Sequence, residues 1–478
     1  MPTNSVKPGL ILDLPLLLDG VDGTQSTRVH AGLRAAILGG RVAAGIRLPS
    51  SRSLADQLGV RRNAVVVAYE QLLGEGLAEA RVGAGTYVAA RVPHGPALAG
   101  PVPLLPPVAG RGAFALGRTL PNPVLLRRLG QLVRRSLAEG DPALFGYGDP
   151  RGSEQLRCAI ARHLGATRGI TCDPGCILIT TGTQAGLRLC IEMLMAPGDR
   201  AWMEDPGYPP ARRLLEARGA RLVPVAVDEQ GLDVAAGRRE AEDARLAYVT
   251  PSHQFPTGVS MTMARRLALL DWAHEAGAWV LEDDYDSEFR FSGAPLTALA
   301  GIDGRGRVIY LGTFSKTVFP GLRCGYVVFP PALIERAVAA RAMTDRFPPS
   351  VLEAPLARLI TDGSFAEHVR HMRKRYRAAR DILAEHLVQV SGGMLGVRVP
   401  DQGLHLVATL PEGLPPNAAN WIRSAAGVEA RLLSDNRIVP SGDEGFVLGY
   451  SGYSVPVLKE AAKRLGHAAQ SYQLKVQR

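Results

Sequence analysis

The chain has 478 residues, 46% of them hydrophobic, with a formal net charge of +10 and a pI near 9.6. That length suggests roughly three domains and ample material for a buried core, and no apolar run reaches the ~18 residues a membrane span needs. The charge suits nucleic acid or an anionic ligand without choosing between them.

Residues 9–18 are apolar but hold Asp13 and Pro15 and lack a small-residue cleavage site, so no signal peptide is expected and the protein reads as cytoplasmic. Helical periodicity starts in residues 27–39, where Val29, Leu33, Ala36 and Ile37 share one face. Pro49 and Ser50 then start a short helix that Gly59 ends. A further helix over residues 62–75 turns Val65, Tyr69, Leu72 and Leu73 inward, and a hairpin follows over residues 77–88 around Gly83-Ala84-Gly85. Arg61-Arg62-Asn63 stand at the start of the third helix, where a recognition helix presents its first turn to the major groove. Arg reads guanine and Asn reads adenine by paired hydrogen bonds, while Arg52 is placed to reach a phosphate.

The string Leu48-Pro49-Ser50-Ser51-Arg52, Leu58-Gly59-Val60, Ala68-Tyr69-Glu70-Gln71-Leu72 and Gly85-Thr86-Tyr87-Val88 resembles the GntR-type winged helix-turn-helix. The resemblance implies a DNA-binding domain over residues 25–92, with contacts from Arg52, Arg62, Asn63 and the wing Gly83 to a double-stranded operator, to which the position of Arg61 at the start of the recognition helix adds a further candidate. Arg61 stands where many relatives carry Ser or Thr, and Val66 where many carry Arg.

Residues 93–112 are dominated by Pro, Ala and Gly and read as a semi-stiff linker. Beyond them, apolar runs such as residues 176–179, 200–203, 246–249, 278–281 and 308–311 alternate with helical patterns, which implies an α/β body with a mostly parallel sheet. Several post-strand loops carry chemistry. Thr180-Thr181-Gly182-Thr183 opens a helix, a natural anion site. Tyr208 follows an Asp-Pro-Gly turn and could stack on a flat ring. His253 is the titratable member of the loop Ser252-His253-Gln254-Phe255-Pro256-Thr257-Gly258 and reads as a hydrogen-bonding partner. Asp283 and Tyr285 stand in an acidic loop after a buried run, where a carboxylate can face a protonated ring nitrogen. Ser315-Lys316 with Arg323 supplies a lysine fit for Schiff-base chemistry and a nearby cation. Five cysteines, an odd and scattered set, argue against a disulfide framework, and Cys172 and Cys176 lack the second pair that a metal site needs, so no metal is expected.

In this order the loops resemble the fold type I, aspartate-aminotransferase-like pyridoxal phosphate proteins over residues 113–478. The resemblance implies pyridoxal 5'-phosphate joined to Lys316 as an aldimine, Asp283 facing the ring nitrogen, Tyr285 the phenolic oxygen, and Tyr208 on the ring. Thr181, Gly182, Thr183, Ser315 and Arg323 would hold the phosphate. Phe255 replaces the Asn common in aminotransferases, and the Asp-to-Tyr spacing is one residue shorter. These departures, with the winged head, resemble the MocR subfamily of GntR regulators. That implies a head-to-tail homodimer that regulates transcription, senses the cofactor or an amino compound, and takes an effector carboxylate on Arg437, preferred here over Arg431. The rival reading is a working aminotransferase with an accessory head.

Overall fold

The computed structural model describes residues 23–90, 112–415, 417–440 and 442–476. Residues 93–111 of the expected linker lie outside them. The chain divides into two compact units, Met1–Pro106 and Pro107–Arg478.

In the first unit, α1 (Gln25–Leu38), α2 (Ser51–Leu58) and α3 (Arg62–Gly74) precede the antiparallel pair β1 (Ala78–Arg81) and β2 (Gly85–Val88). Ser50 caps α2 through its hydroxyl on the Ser53 N–H, and Gly59 ends it at φ +64°, a conformation cheap only for glycine. Val29, Leu33, Leu54, Val65, Leu72 and Val88 close a small core. The Tyr69 hydroxyl donates to the Pro49 carbonyl at 2.8 Å and ties α3 to the start of α2.

The second unit is built on an eight-stranded sheet. Its members are β3 (Ile177–Thr180), β4 (Arg200–Asp205), β5 (Arg221–Asp228), β6 (Gly231–Leu232), β7 (Leu246–Val249), β8 (Trp279–Asp284), β9 (Val308–Thr313) and β10 (Gly325–Val328). The spatial order is β3-β10-β9-β8-β7-β4-β5-β6. The run from β9 to β5 is parallel, as its buried Val, Ile and Leu runs predict. β10 enters antiparallel between β3 and β9, and β6 is an antiparallel edge. Helices cover both faces: Leu187, Ile191, Leu215 and Leu333 pack on one, Trp272 and Leu269 on the other. Gly186 permits the close seat of the helix Thr183–Leu194, since a Cβ there would meet the Val327 side chain at 2.6 Å.

After the long helix Ser364–Ser391 comes a four-stranded antiparallel sheet of β11 (Gly396–Arg398), β12 (His405–Thr409), β13 (Arg431–Leu432) and β14 (Gly445–Gly449), in the order β11-β12-β14-β13. Its apolar face packs on that helix and on Val455–Val476 through Leu383, Leu387, Leu406, Phe446 and Leu465. Among the described residues no helix is long and apolar enough to cross a membrane.

Candidate functional site

Parallel strands aim their carboxyl ends at one edge of the sheet, and ligands gather there. In this unit a cavity of about 300 Å³ opens at that edge. Asp283 reaches it from the end of β8, Tyr248 from β7, Thr313 from β9, and Lys316 from the turn after β9. Thr183, Tyr208, Tyr285, Ser315 and Arg323 complete much of its wall. Seven of the nine residues expected around a cofactor therefore line one space. The other two, Thr181 and Gly182, precede the helix Thr183–Leu194, with Gly182 at φ +99° beside Arg323: a Cβ there would lie 3.5 Å from the Arg323 guanidinium.

Lys316 and Asp283 are strongly perturbed. Burial pushes the Lys316 amine below its usual range, against the opposing pull of the Asp286 and Asp283 carboxylates. Burial likewise pushes the Asp283 carboxyl up to about 7, although Tyr248 donates to its Oδ2 at 2.7 Å. The other oxygen, Oδ1, is buried and has no partner among the described residues. Gly117 leaves room at the lysine, since a Cβ there would come within 2.9 Å of Nζ. At the far wall the helix Thr183–Leu194 starts with no side-chain cap, and the Arg323 guanidinium makes no hydrogen bond or ion pair among the described residues. A buried acceptor opposite an amine, with a free helix start and a free guanidinium beside them, fits a cationic heteroaromatic ring carrying an aldehyde and a phosphate.

The cavity also corrects one expectation. Arg437 does not line it; its guanidinium donates to the Asp443 carbonyl at 2.6 Å and faces other grooves. Arg431, on β13, does line it and has no hydrogen bond or ion pair among the described residues. The sequence could not separate them because they lie six residues apart in one polar segment and only the β13 pairing decides which points inward. Tyr248, Gln184 and His405 also line the cavity and escaped the sequence reading. Tyr248 sits in an apolar run that reads as plain core, so its hydroxyl gave little signal. Phe255 packs edge-on to Tyr208 and Tyr285, with centroids 5.5 and 6.3 Å apart, so an aromatic wall stands where a polar side chain was missing.

In the first unit, Arg52, Arg61, Arg62 and Asn63 are exposed at the starts of α2 and α3, and Gly83 is exposed at the hairpin tip. Arg61 is the N-cap of α3 without a side-chain bond, and Arg62 Nε donates to the Ser51 hydroxyl at 3.3 Å, which links the two helix starts.

Residues 25–88 match "Bacterial regulatory proteins, gntR family", and residues 123–420 match "Aminotransferase class I and II". The chain is 36% identical over 472 residues to the probable rhizopine catabolism regulatory protein MocR of Rhizobium meliloti, covering 95% of each chain. The chain belongs to the MocR family of GntR-type transcriptional regulators. Another relative is the HTH-type pyridoxine biosynthesis transcriptional regulator PdxR of Corynebacterium glutamicum, 32% identical across 94% of this chain and 97% of that one. The body has the aminotransferase fold, which binds pyridoxal phosphate. It superposes on LysN, the α-aminoadipate aminotransferase of Thermus thermophilus solved with N-(5'-phosphopyridoxyl)-L-leucine, with a TM-score of 0.69 at 27% identity over 76% of this chain and 93% of that one. The kynurenine aminotransferase of Pyrococcus horikoshii gives 0.68 at 27% identity over 74% and 89%. A GntR head on an aminotransferase body makes this MocR-type protein a regulator in architecture, and the regulator reading is favoured over the enzyme.

Proposed function

We propose that this MocR-type regulator binds pyridoxal phosphate at Lys316 and converts occupancy of that site by an amino compound into a change in operator binding. When bound, the cofactor supplies an aldehyde that Lys316 captures and a ring that draws electrons from the captured amine. Asp283, with Oδ1 unpartnered and Oδ2 braced by Tyr248, would hold a proton on the ring nitrogen. Tyr208 and Tyr285 line the cavity, where Tyr208 would lie against the ring and Tyr285 would serve its phenolic oxygen. Thr181, Gly182, Thr183, Ser315 and Arg323 would hold the phosphate, at the uncapped helix start and the cavity wall beside it. Arg431 takes the carboxylate of an amino-acid effector, in place of Arg437. What carries the reading is the lysine amine and the orphaned Asp283 oxygen in one cavity.

The output lies with Arg52, Arg61, Arg62, Asn63 and Gly83, which face solvent on the winged head of residues 25–92. A ligand shifts DNA binding only through different affinities for two arrangements of the protein. The protein acts as a head-to-tail homodimer in the cytoplasm, and its two heads read two half-sites. The purified protein with pyridoxal phosphate should show a visible absorbance band that Lys316→Ala abolishes, together with any cofactor-dependent change in operator affinity. Rapid conversion of amino donors to oxo acids without specific DNA binding would instead identify a working aminotransferase.

A further inference from the structure

Behind the cavity stands a buried group that the proposed function does not use. His253 and Asp286 are 2% and 1% exposed. His253 Nδ1 lies 3.1 and 3.0 Å from the two carboxylate oxygens of Asp286, which has no other side-chain partner among the described residues. A carboxylate only accepts, so this nitrogen carries the proton. The Tyr285 oxygen lies 3.1 Å from the same nitrogen, and its hydroxyl donates to the His253 carbonyl at 3.0 Å. The ring fills space that two glycines leave open: a Cβ at Gly403 would overlap it, and one at Gly258 would come within 3.3 Å of Nε2. The His405 ring lies beside it, tilted by 37° with centroids 4.9 Å apart, and donates from Nε2 to the Pro256 carbonyl at 3.0 Å. Burial, with His253 adjacent, pushes His405 down to about 3, so it stays neutral. These three residues place their ligand atoms within 4.8 Å of one another. The Nδ1 proton between His253 and Asp286 favours a hydrogen-bonded relay over a metal.

A buried carboxylate beside a ligand cavity is expensive unless its charge is used, since an apolar pair of similar volume is often as stable. We infer that Asp286 and His253 are positioning residues of the cofactor site: Asp286 locks the His253 ring, His253 sets the Tyr285 hydroxyl, and this chain of contacts places a buried negative charge behind the wall that Tyr285 and Lys316 share. The inference rests on the cofactor reading. Asp283, Tyr208, Tyr248, Arg323, His405 and Arg431 also face the cavity, and none changes in the test.

The test is a pH titration of the visible band of the full-length protein loaded with pyridoxal phosphate. Asp286→Asn keeps the shape and an acceptor for His253 but removes the charge, so the midpoint moves down by about one pH unit. His253→Phe removes the donor and displaces the midpoint by at least about half a unit. His253→Asn, which offers an N–H near the Nδ1 position, stays close to wild type. A midpoint unchanged in Asp286→Asn or in His253→Phe overturns the inference while leaving cofactor binding intact, and either folded variant decides. If the wild-type protein forms no visible band, the cofactor reading falls first and the inference with it.

Discussion

Asp283→Asn separates two effects of one carboxylate and gives them opposite signs. In the folded protein Oδ2 is satisfied by Tyr248 at 2.7 Å and Oδ1 is buried without a partner. Burial holds this carboxyl at about 7, whereas in the unfolded chain it titrates near ~3.9. Between those values the folded protein binds more protons than the unfolded one, so Asp283 makes the cofactor-free protein less stable as pH rises from about 4 to about 7. Three pH units correspond to on the order of 4 kcal/mol. The isosteric amide keeps the Tyr248 bond and carries no charge, so the cofactor-free variant should be more stable than wild type at pH ~8. With pyridoxal phosphate the sign reverses. An N–H group then faces the protonated ring nitrogen, and a charged hydrogen bond of about 1.5–3 kcal/mol is lost. Affinity should fall roughly 10- to 150-fold. Urea denaturation of the cofactor-free protein at pH 5 and 8, with titration of the visible band by pyridoxal phosphate, measures both arms. A variant no more stable than wild type at pH 8, or one that binds cofactor within twofold of it, would refute the assignment of Asp283.

Arg431→Ala should weaken a carboxylate-bearing amine effector at least tenfold, as read from the spectral shift of the loaded protein, while Arg437→Ala should stay within about twofold. Equal effects would return the carboxylate to Arg437. Arg62→Ala should cost about 1–3 kcal/mol of specific operator binding by gel shift, and unchanged affinity would remove Arg62 from the recognition surface. Arg168 pairs with Asp284 at 2.8 Å in a site where both side chains are buried, and Tyr310 donates to the same carboxylate at 2.6 Å. Arg168→Met strands that charge and should cost about 3–5 kcal/mol in denaturation, and a loss below ~1 kcal/mol would refute the ion pair's role.

Much of this protein was legible in its sequence because its motifs are local. A helix start with Thr181-Gly182-Thr183, a lysine after a buried strand and a winged head with Arg62-Asn63 each lie within a few residues, and local backbone rules expose them. The apolar runs likewise marked the strands that position the site. Tertiary structure alone decided which strand stands beside which, including the antiparallel entry of β10 between β3 and β9. It also turned Arg431 rather than Arg437 to the cavity, brought Tyr248 onto Asp283, and closed Asp286 on His253 across thirty-three positions. Those contacts depend on register and on burial of partners far apart in the chain, and no periodicity within one segment records either.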